Sequence, residues 1–390
     1  MRKFLYMICI LTVLTGCVKI PEIQSQAYAV GIGIDYVNDE YHVVLQFLDF
    51  SNVAKSDQGK SDKPSVVWLG EGKGKTVEDA IIKIYHGIQI PVNYDQLNVF
   101  VFGKSVLENR ISKTVEALDT NFNIRLTGWV YGTEEPVAKI FTTKVPFNYA
   151  YTNARIVQPE YMQQQDSSIP ALSLQGLVYQ LHEPSKTILV PSISTNDAII
   201  LKDQDKLPVT IFNGAYLLKG KKLKGHLTEK DLEGFIRVNN KSVRSPVVFS
   251  DKNAGKKEFV QIELLNPKMK RKVNIDQNGI QIGLDIKISA IVRESSKQIL
   301  SPTIKRQIQE EIRKEVYTAY LKSQKIGGDI YQFEDYLYRF MHDDWKDLQI
   351  SGKFPTLNKK DIHVDIAPLK SINRINAGVD TLLKGQGDGS

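Results

Sequence analysis

The sequence predicts an α+β, mixed α/β multidomain protein. Helices should pack on mixed sheets in the N-terminal part, and an antiparallel meander plus one long helix should build the C-terminal domain. Three observations carry this expectation. Over residues 27–141 the apolar pattern switches repeatedly between period two and the helical period, the mark of helices laid on a sheet. After residue 208, period-two segments separated by turn residues precede a long amphipathic stretch that opens at Pro302. The chain has 390 residues, 42% of them hydrophobic, enough for two or three domains.

Residues 27–35 and 41–50 are rich in β-branched and aromatic side chains. Val37-Asn38-Asp39-Glu40 between them is a turn signal, so the pair reads as a β-hairpin. Residues 66–69 form a short strand. Residues 76–88 place Val77, Ala80, Ile81, Ile84, Tyr85 and Ile88 on one helical face, with Thr76 and Asp79 as an N-cap pair. Residues 97–102 are an apolar strand. Residues 105–118 read as one helix with Val106, Leu107, Ile111, Val115 and Leu118 inward. A strand over 124–131 and a short helix over 137–141, after Pro136, complete an N-terminal α/β domain at 27–141.

Residues 142–207 read as a middle segment or small second domain. Pro146, Pro159, Pro170 and the polar run Gln163-Gln164-Gln165-Asp166-Ser167-Ser168 mark a crossing segment, followed by a helix at 172–181 and a strand at 198–202. The C-terminal α+β domain is expected over 208–378. It opens with a hairpin of 209–218 and 221–224 around Lys219-Gly220, then a short helix over 228–236 with Leu232 and Phe235 inward. Strands at 247–249, 258–265, 270–276 and 280–292 follow, with Asn266-Pro267 and Gln277-Asn278-Gly279 as turns. The helix from Pro302 runs to about residue 325, with Ile304, Ile308, Ile312, Val316 and Leu321 as its core stripe and Gly327-Gly328 as its stop. A helix over 333–348 and a strand over 362–375 come last, and 379–390 is a glycine-rich tail expected to be disordered.

The first residues carry a different signal. Met1-Arg2-Lys3 is a positive start, and the apolar run 4–14 is too short to span a bilayer, so 1–16 reads as a signal peptide. Leu14-Thr15-Gly16-Cys17 closes it. Small residues before a cysteine fit cleavage between Gly16 and Cys17 and diacylglyceryl attachment to the Cys17 thiol. Residues 17–26 then serve as lipid anchor and linker. Each buried CH₂ of an acyl chain contributes about 0.8 kcal/mol, so two chains anchor stably where one does not. The chain has 2 cysteines, and Cys9 leaves with the leader. No disulfide, cysteine nucleophile or cysteine metal site remains.

No enzymatic motif emerges. Gly70-Glu71-Gly72-Lys73-Gly74-Lys75-Thr76 resembles a phosphate-binding loop, but Leu69 stands where that loop needs its first glycine, so a glycine-rich turn is the reading. Gly31-Ile32-Gly33 lies inside a strand and marks a bulge or a close backbone approach. The histidines His42, His86, His182, His226, His342 and His363 are scattered, and His342-Asp343-Asp344 point different ways around a helix. Asp276, Asn278 and Gly279 are an incomplete calcium loop. Glu160, Glu183 and Asp197 have no sequence partner for acid–base work. No catalytic residue, metal site or cofactor is therefore assigned. The formal net charge is +7, or about +5 once Arg2 and Lys3 leave with the leader, a mild excess that suits a body near anionic headgroups and is too weak to argue for nucleic acid. Lys219, Lys221, Lys222 and Lys224 cluster at a hairpin tip and are candidates for membrane or partner contact.

Several segments together resemble one family. Val30-Gly31-Ile32-Gly33-Ile34-Asp35-Tyr36, followed by Glu40-Tyr41-His42-Val43 and Gln46, is similar to its opening hairpin. Asn213-Gly214-Ala215-Tyr216-Leu217-Leu218-Lys219-Gly220-Lys221-Lys222-Leu223-Lys224-Gly225-His226-Leu227, running into Glu229, Leu232, Glu233 and Gly234, resembles the start of its C-terminal domain. Asp329-Ile330, Trp345 and Val364-Asp365-Ile366 also fit. This is the Ger(x)C family, the lipoprotein C subunits of nutrient germinant receptors in endospore formers. After Asp329 the family's phenylalanine-glycine repeat is replaced by Tyr331-Gln332-Phe333. The resemblance implies a mixed α/β fold in three domains and a non-enzymatic subunit on the outer face of the spore inner membrane. It further implies association with a polytopic A subunit and a transporter-like B subunit. The alternatives are a substrate-binding lipoprotein of a nutrient transporter, which would show two similar lobes around a cleft, and an exported hydrolase, which would show converging carboxylates or a nucleophile–base pair.

Overall fold

A computed structural model describes residues 25–48, 66–121, 123–250, 259–276, 279–295, 302–367 and 370–371. The leader, Cys17 and the tail at 379–390 lie outside the described residues. The chain is α+β, built on two sheets.

The first strands are β1 (Ala27–Val37) and β2 (Glu40–Phe47), joined through Asn38 and Asp39, both left-handed at φ 52° and 60°. Two successive left-handed residues give the turn whose twist matches a hairpin. Then come β3 (Trp68–Gly74), α1 (Val77–Tyr85), β4 (Val92–Asn93), β5 (Val99–Gly103), α2 (Lys104–Asn109), α3 (Ile111–Asp119), β6 (Trp129–Thr133) and α4 (Val137–Phe141). The crossing segment holds α5 (Pro159–Met162) and α6 (Leu174–His182). A long antiparallel arm follows, β7 (Thr187–Lys202) and β8 (Asp205–Lys219), with β9 (Lys222–Thr228) returning along it. The first sheet has nine strands in the order β3-β2-β1-β5-β6-β7-β8-β9, with β4 added on β1. β1, β5, β6 and β7 run parallel at its centre, and antiparallel hairpins extend both sides. All five residues of β5 are buried, as expected of a central parallel strand covered on both faces.

The second sheet follows α7 (Glu233–Val238). Its strands β10 (Arg244–Ser250), β11 (Phe259–Asp276) and β12 (Gly279–Ser295) are antiparallel. After α8 (Pro302–Lys325), α9 (Phe333–Phe340) and α10 (His342–Ser351), the strands β13 (Ile362–Ile366) and β14 (Lys370–Ser371) join β12 in parallel. Three apolar cores result. One lies on the α1, α3 and α6 face of the first sheet around Phe100 and Phe102, and one lies on its other face around Tyr131 and Phe141. The third gathers Ile262, Leu284, Ile312 and Val316 of the second sheet and α8 with Ala215, Leu217 and Leu227 of the first sheet.

Local chemistry explains most element boundaries. Thr76 caps α1: its side-chain oxygen accepts the Asp79 N–H at 3.0 Å, while the Asp79 carboxylate accepts the Lys75 N–H at 3.0 Å. At the end of α8 the Gly328 N–H donates to Ser323 O and the Gly327 N–H to Gln324 O, with Gly327 at φ 76°. This paired closure needs a left-handed residue, which glycine supplies at little cost.

Several expectations are corrected. The glycine-rich stretch is no turn. Gly70, Gly72 and Gly74 lie within β3 and clear space for α1, since a Cβ on Gly72 would sit 2.1 Å from the Ala80 carbonyl oxygen. The single helix expected over 105–118 breaks at Arg110 (φ −133°), and the one over 333–348 breaks at Met341 (φ −145°). Asn266-Pro267 does not turn the chain. β11 runs through it with a register shift between Leu265 and Lys268, because Pro267 lacks the N–H a regular ladder needs. The sixth strand starts at Trp129 rather than 124, and the last expected strand is divided between β13 and β14. Leu321 is exposed. It lies off the stripe of Ile308, Ile312 and Val316, which Ala319 and Tyr320 continue at helical spacing. The side chain of Ile304 and residues Gln277 and Asn278 fall outside the described residues.

The glycine reading has a direct test. Gly72→Ala should destabilise the fold by about 2–3 kcal/mol through the clash with Ala80. Gly87→Ala, whose Cβ would meet nothing closer than 3.6 Å, should stay within about 0.5 kcal/mol of the parent. Denaturant unfolding of both variants checks the contrast.

Candidate interaction site at the sheet junction

The lysine hairpin sits where the two halves of the molecule meet. Gly220 (φ 59°) and Lys221 (φ 62°) turn the chain between the paired residues Lys219 and Lys222. Of the four lysines singled out in the sequence, Lys221, Lys222 and Lys224 are exposed at this tip. Lys219 is not available in the same way. Its ammonium lies 2.5 Å from the carboxylate of Glu334, which is buried on α9.

That ion pair belongs to a larger polar junction. Asp329, Glu334 and Asp335 are all buried. Asp335 receives Lys186 Nζ at 2.9 Å and Arg339 Nε at 3.1 Å. Arg339 also reaches Glu183 at 3.0 Å and donates to the Tyr179 hydroxyl at 3.2 Å. Glu334 accepts Gln349 Nε2 at 2.8 Å. The Asp329 N–H donates to Thr187 Oγ1 at 3.0 Å, and its carboxylate accepts the Glu334 N–H at 2.8 Å. Gln332, left-handed at φ 58°, spans the backbone of Thr187: Nε2 donates to its carbonyl at 2.6 Å and Oε1 accepts its N–H at 3.3 Å. Tyr331 anchors the segment from below, donating to Val316 O at 3.0 Å, and its own carbonyl accepts Arg271 Nε. Burial pushes the Asp329 carboxyl up to about 6, against the opposing pull of the Glu334 N–H and the Lys219 charge. Asp329 is among the family-like residues of the sequence, but its place in a junction is not legible there, since Thr187 lies 142 residues away.

Other candidates separate in space. Among the described residues no group of three or more His, Asp or Glu side chains could hold a metal ion. A hydroxyl–imidazole pair lies elsewhere: His226 Nε2 is 3.0 Å from Ser192 Oγ. Ser192 is only 2% exposed and its hydroxyl donates to Asn213 Oδ1, so it is buried and already committed, while His226 is partly exposed. Among the described residues no helix is long and apolar enough to cross a membrane. Cys17 and Gly16 lie outside the described residues.

Comparison with known proteins places the chain in a family. The family described as spore germination protein N-terminal domain matches residues 19–195, and the family described as spore germination B3/GerAC like, C-terminal, matches residues 213–374. Together they span most of the chain, which therefore belongs to the Ger(x)C family of spore-germination proteins. None of the curated proteins matches the chain. Among solved structures, the crystal structure of the GerBC protein is similar at 16% identity and a TM-score of 0.49, covering 88% of this chain and 97% of that one.

Two measurements test the junction. Lys219→Ala strands a buried carboxylate and should cost about 2 kcal/mol, whereas Lys222→Ala and Lys224→Ala should each change stability by less than about 0.5 kcal/mol. The second concerns pH. An unfolded aspartate titrates at about 3.9, and folded Asp329 at about 6. The folded state therefore holds the proton more tightly. This contribution is complete below the unfolded value and is lost as pH rises through the folded one. Between pH values of about 4 and 7 the Asp329→Asn variant should lose less stability than the parent, by on the order of 2 kcal/mol. Thermal melts across that range would show the difference.

Proposed function

We propose that this chain is the lipid-anchored accessory subunit of a nutrient germinant receptor. It is tethered through Cys17 to the outer face of the spore inner membrane and is associated there with the polytopic A subunit and the transporter-like B subunit. The observation that carries the reading is the match of both spore-germination domain families, which leaves little of the chain unclaimed. The leader ending in Leu14-Thr15-Gly16-Cys17 supports the anchor. The role is non-catalytic: the body supplies a rigid two-sheet surface for its membrane partners, and Lys221, Lys222 and Lys224 are candidates for that contact. The sheets differ in strand order and strand number, which speaks against a nutrient-binding lipoprotein with two matched lobes.

Two outcomes are expected. Cys17→Ala should release the protein from the membrane fraction or leave an uncleaved precursor, read by intact mass and detergent partitioning; unchanged mass and retention would rule lipidation out. Purification from detergent-solubilised spore membranes should bring down two further membrane proteins of the receptor, identified by mass. Normal nutrient-triggered germination after loss of the gene, with paralogous receptors removed, would contradict the proposal.

A further inference from the structure

The strand register sets many features at one end of the first sheet. Trp68 pairs with Phe47 and Phe47 with Ala29, so Trp68 lies two strand spacings, about 10 Å, from the start of β1. Across the other half, Ile34 aligns with Phe102, Phe102 with Gly132 and Gly132 with Ser192. Counting back along β7 brings Thr187 to the level of Ala29, and Thr187 pairs with Lys219, which pairs with Lys222. The N-terminal segment, Trp68 and the lysine tip thus share an end. Ile90 and Pro91 join them, since the Ala27 N–H donates to Pro91 O at 2.9 Å.

Exposed apolar side chains lie at that end. Trp68 is 63% exposed on the α1 side of β3. On the opposite side, Val67 lines a groove of about 280 Å³ together with Phe147, Tyr149, Ile200 and Leu201, where the β7–β8 arm folds over. Phe147 is 76% and Leu201 60% exposed. Phe147 is also held left-handed at φ 64°, a conformation disfavoured for a bulky side chain. Lys144 and Lys202 line the same groove, while Asp203 and Asp205 stand at the arm's tip. Attraction here is therefore chiefly apolar, with Lys221 and Lys222 supplying positive charge farther along.

We infer that this end of the body is a second membrane contact, with Trp68, Phe147 and Leu201 seated in the interfacial layer of an anionic phospholipid bilayer and the lysine tip against its headgroups. The inference rests on the lipid anchor proposed above. From Cys17 to Ser25 the chain reaches roughly 28 Å at full extension, so an anchored body cannot stand far from the bilayer. The end from which the tether leaves is the one that must face it. Aromatic side chains and lysines are the residues that favour this layer.

The acylated protein has no free thiol, so single cysteines can report position. Leu201→Cys and Phe147→Cys, and Glu108→Cys on α2 beyond the opposite end of the parallel strands, would each carry an environment-sensitive fluorophore. The proteins are reconstituted on phosphatidylethanolamine–phosphatidylglycerol vesicles, and flotation with intact mass first establishes anchoring. In floated protein, the labels at 201 and 147 should shift to shorter wavelength while the label at 108 stays aqueous. Aqueous emission from 201 and 147 in protein that floats would overturn the contact and leave the anchor intact; failure to float would overturn the anchor itself. A shift that needs no vesicles and grows with protein concentration would assign the patch to a second copy of the chain and overturn the lipid contact.

Discussion

Asp329, Glu334 and Asp335 put three carboxylates out of water within two turns of chain, each less than a tenth exposed. Buried charge is costly unless its partners are close and well placed, and replacing such a network by apolar residues is often neutral or stabilising. Arg339 and Gln349 are local partners, and the others come from elsewhere in the chain. Lys186, Thr187 and Lys219 all belong to the first sheet or its entry, and Gln332 adds a two-point grip on the Thr187 backbone. The network is therefore better understood as fixing where the second half docks than as a source of net stability. A shift by one residue along β7 would part Lys186 from Asp335 and Thr187 from Asp329.

Apolar packing reinforces the same placement. Along β8, Tyr216 and Leu218 enter the core beneath α1, α3 and α6, while Ala215 and Leu217 enter the core of the second sheet. Alternation of side chains across a strand makes β8 a wall shared by both cores. The wall continues into helix packing. On α7, a Cβ on Gly234 would lie 2.2 Å from the Glu315 backbone of α8, so the two helices approach as closely as glycine allows. Gly31 and Gly33 play the matching part in the first sheet, clearing β1 for Phe141 and Val137 of α4. Packing this close joins the two sheets through β8 and the α7–α8 contact.

What could be read from the sequence was what is decided locally. The Thr76–Asp79 cap, the start of α8 at Pro302 and its stop at Gly327-Gly328 depend on residues a few positions apart, and all three are as the pattern predicts. Period and composition also gave the mixed α+β class. What depends on distant neighbours was not legible. Alternating glycines in β3 look like a turn until α1 folds back onto them. Asn266-Pro267 looks like a turn until a partner strand continues past it on β12. The junction was hidden for the same reason, since Asp335 and Lys186 are 149 residues apart and Asp329 and Thr187 142. The lysine cluster was visible as a run of charge, but only the fold separates Lys219, which is held inward, from the three that remain at the surface.

The junction and the tether also constrain each other. Thr187 and Lys219, which receive the second half, sit at the same end of the first sheet as Ala27, from which the N-terminal segment leaves. Fixing that end near a bilayer would fix α9 and α10 beside it, because α9 carries Glu334 and Asp335 into the junction. The second sheet would then have little freedom to rotate about the anchor. A short tether alone would leave a globule free to tumble above the membrane; the proposed tether together with the apolar rim and the polar joint would restrict it to one orientation. Under the proposed association with membrane-embedded subunits, that reduction in orientational freedom would lower the entropic cost of each encounter. It also offers a physical reason why a body without assigned chemistry would retain exposed aromatic side chains at the end where its chain departs.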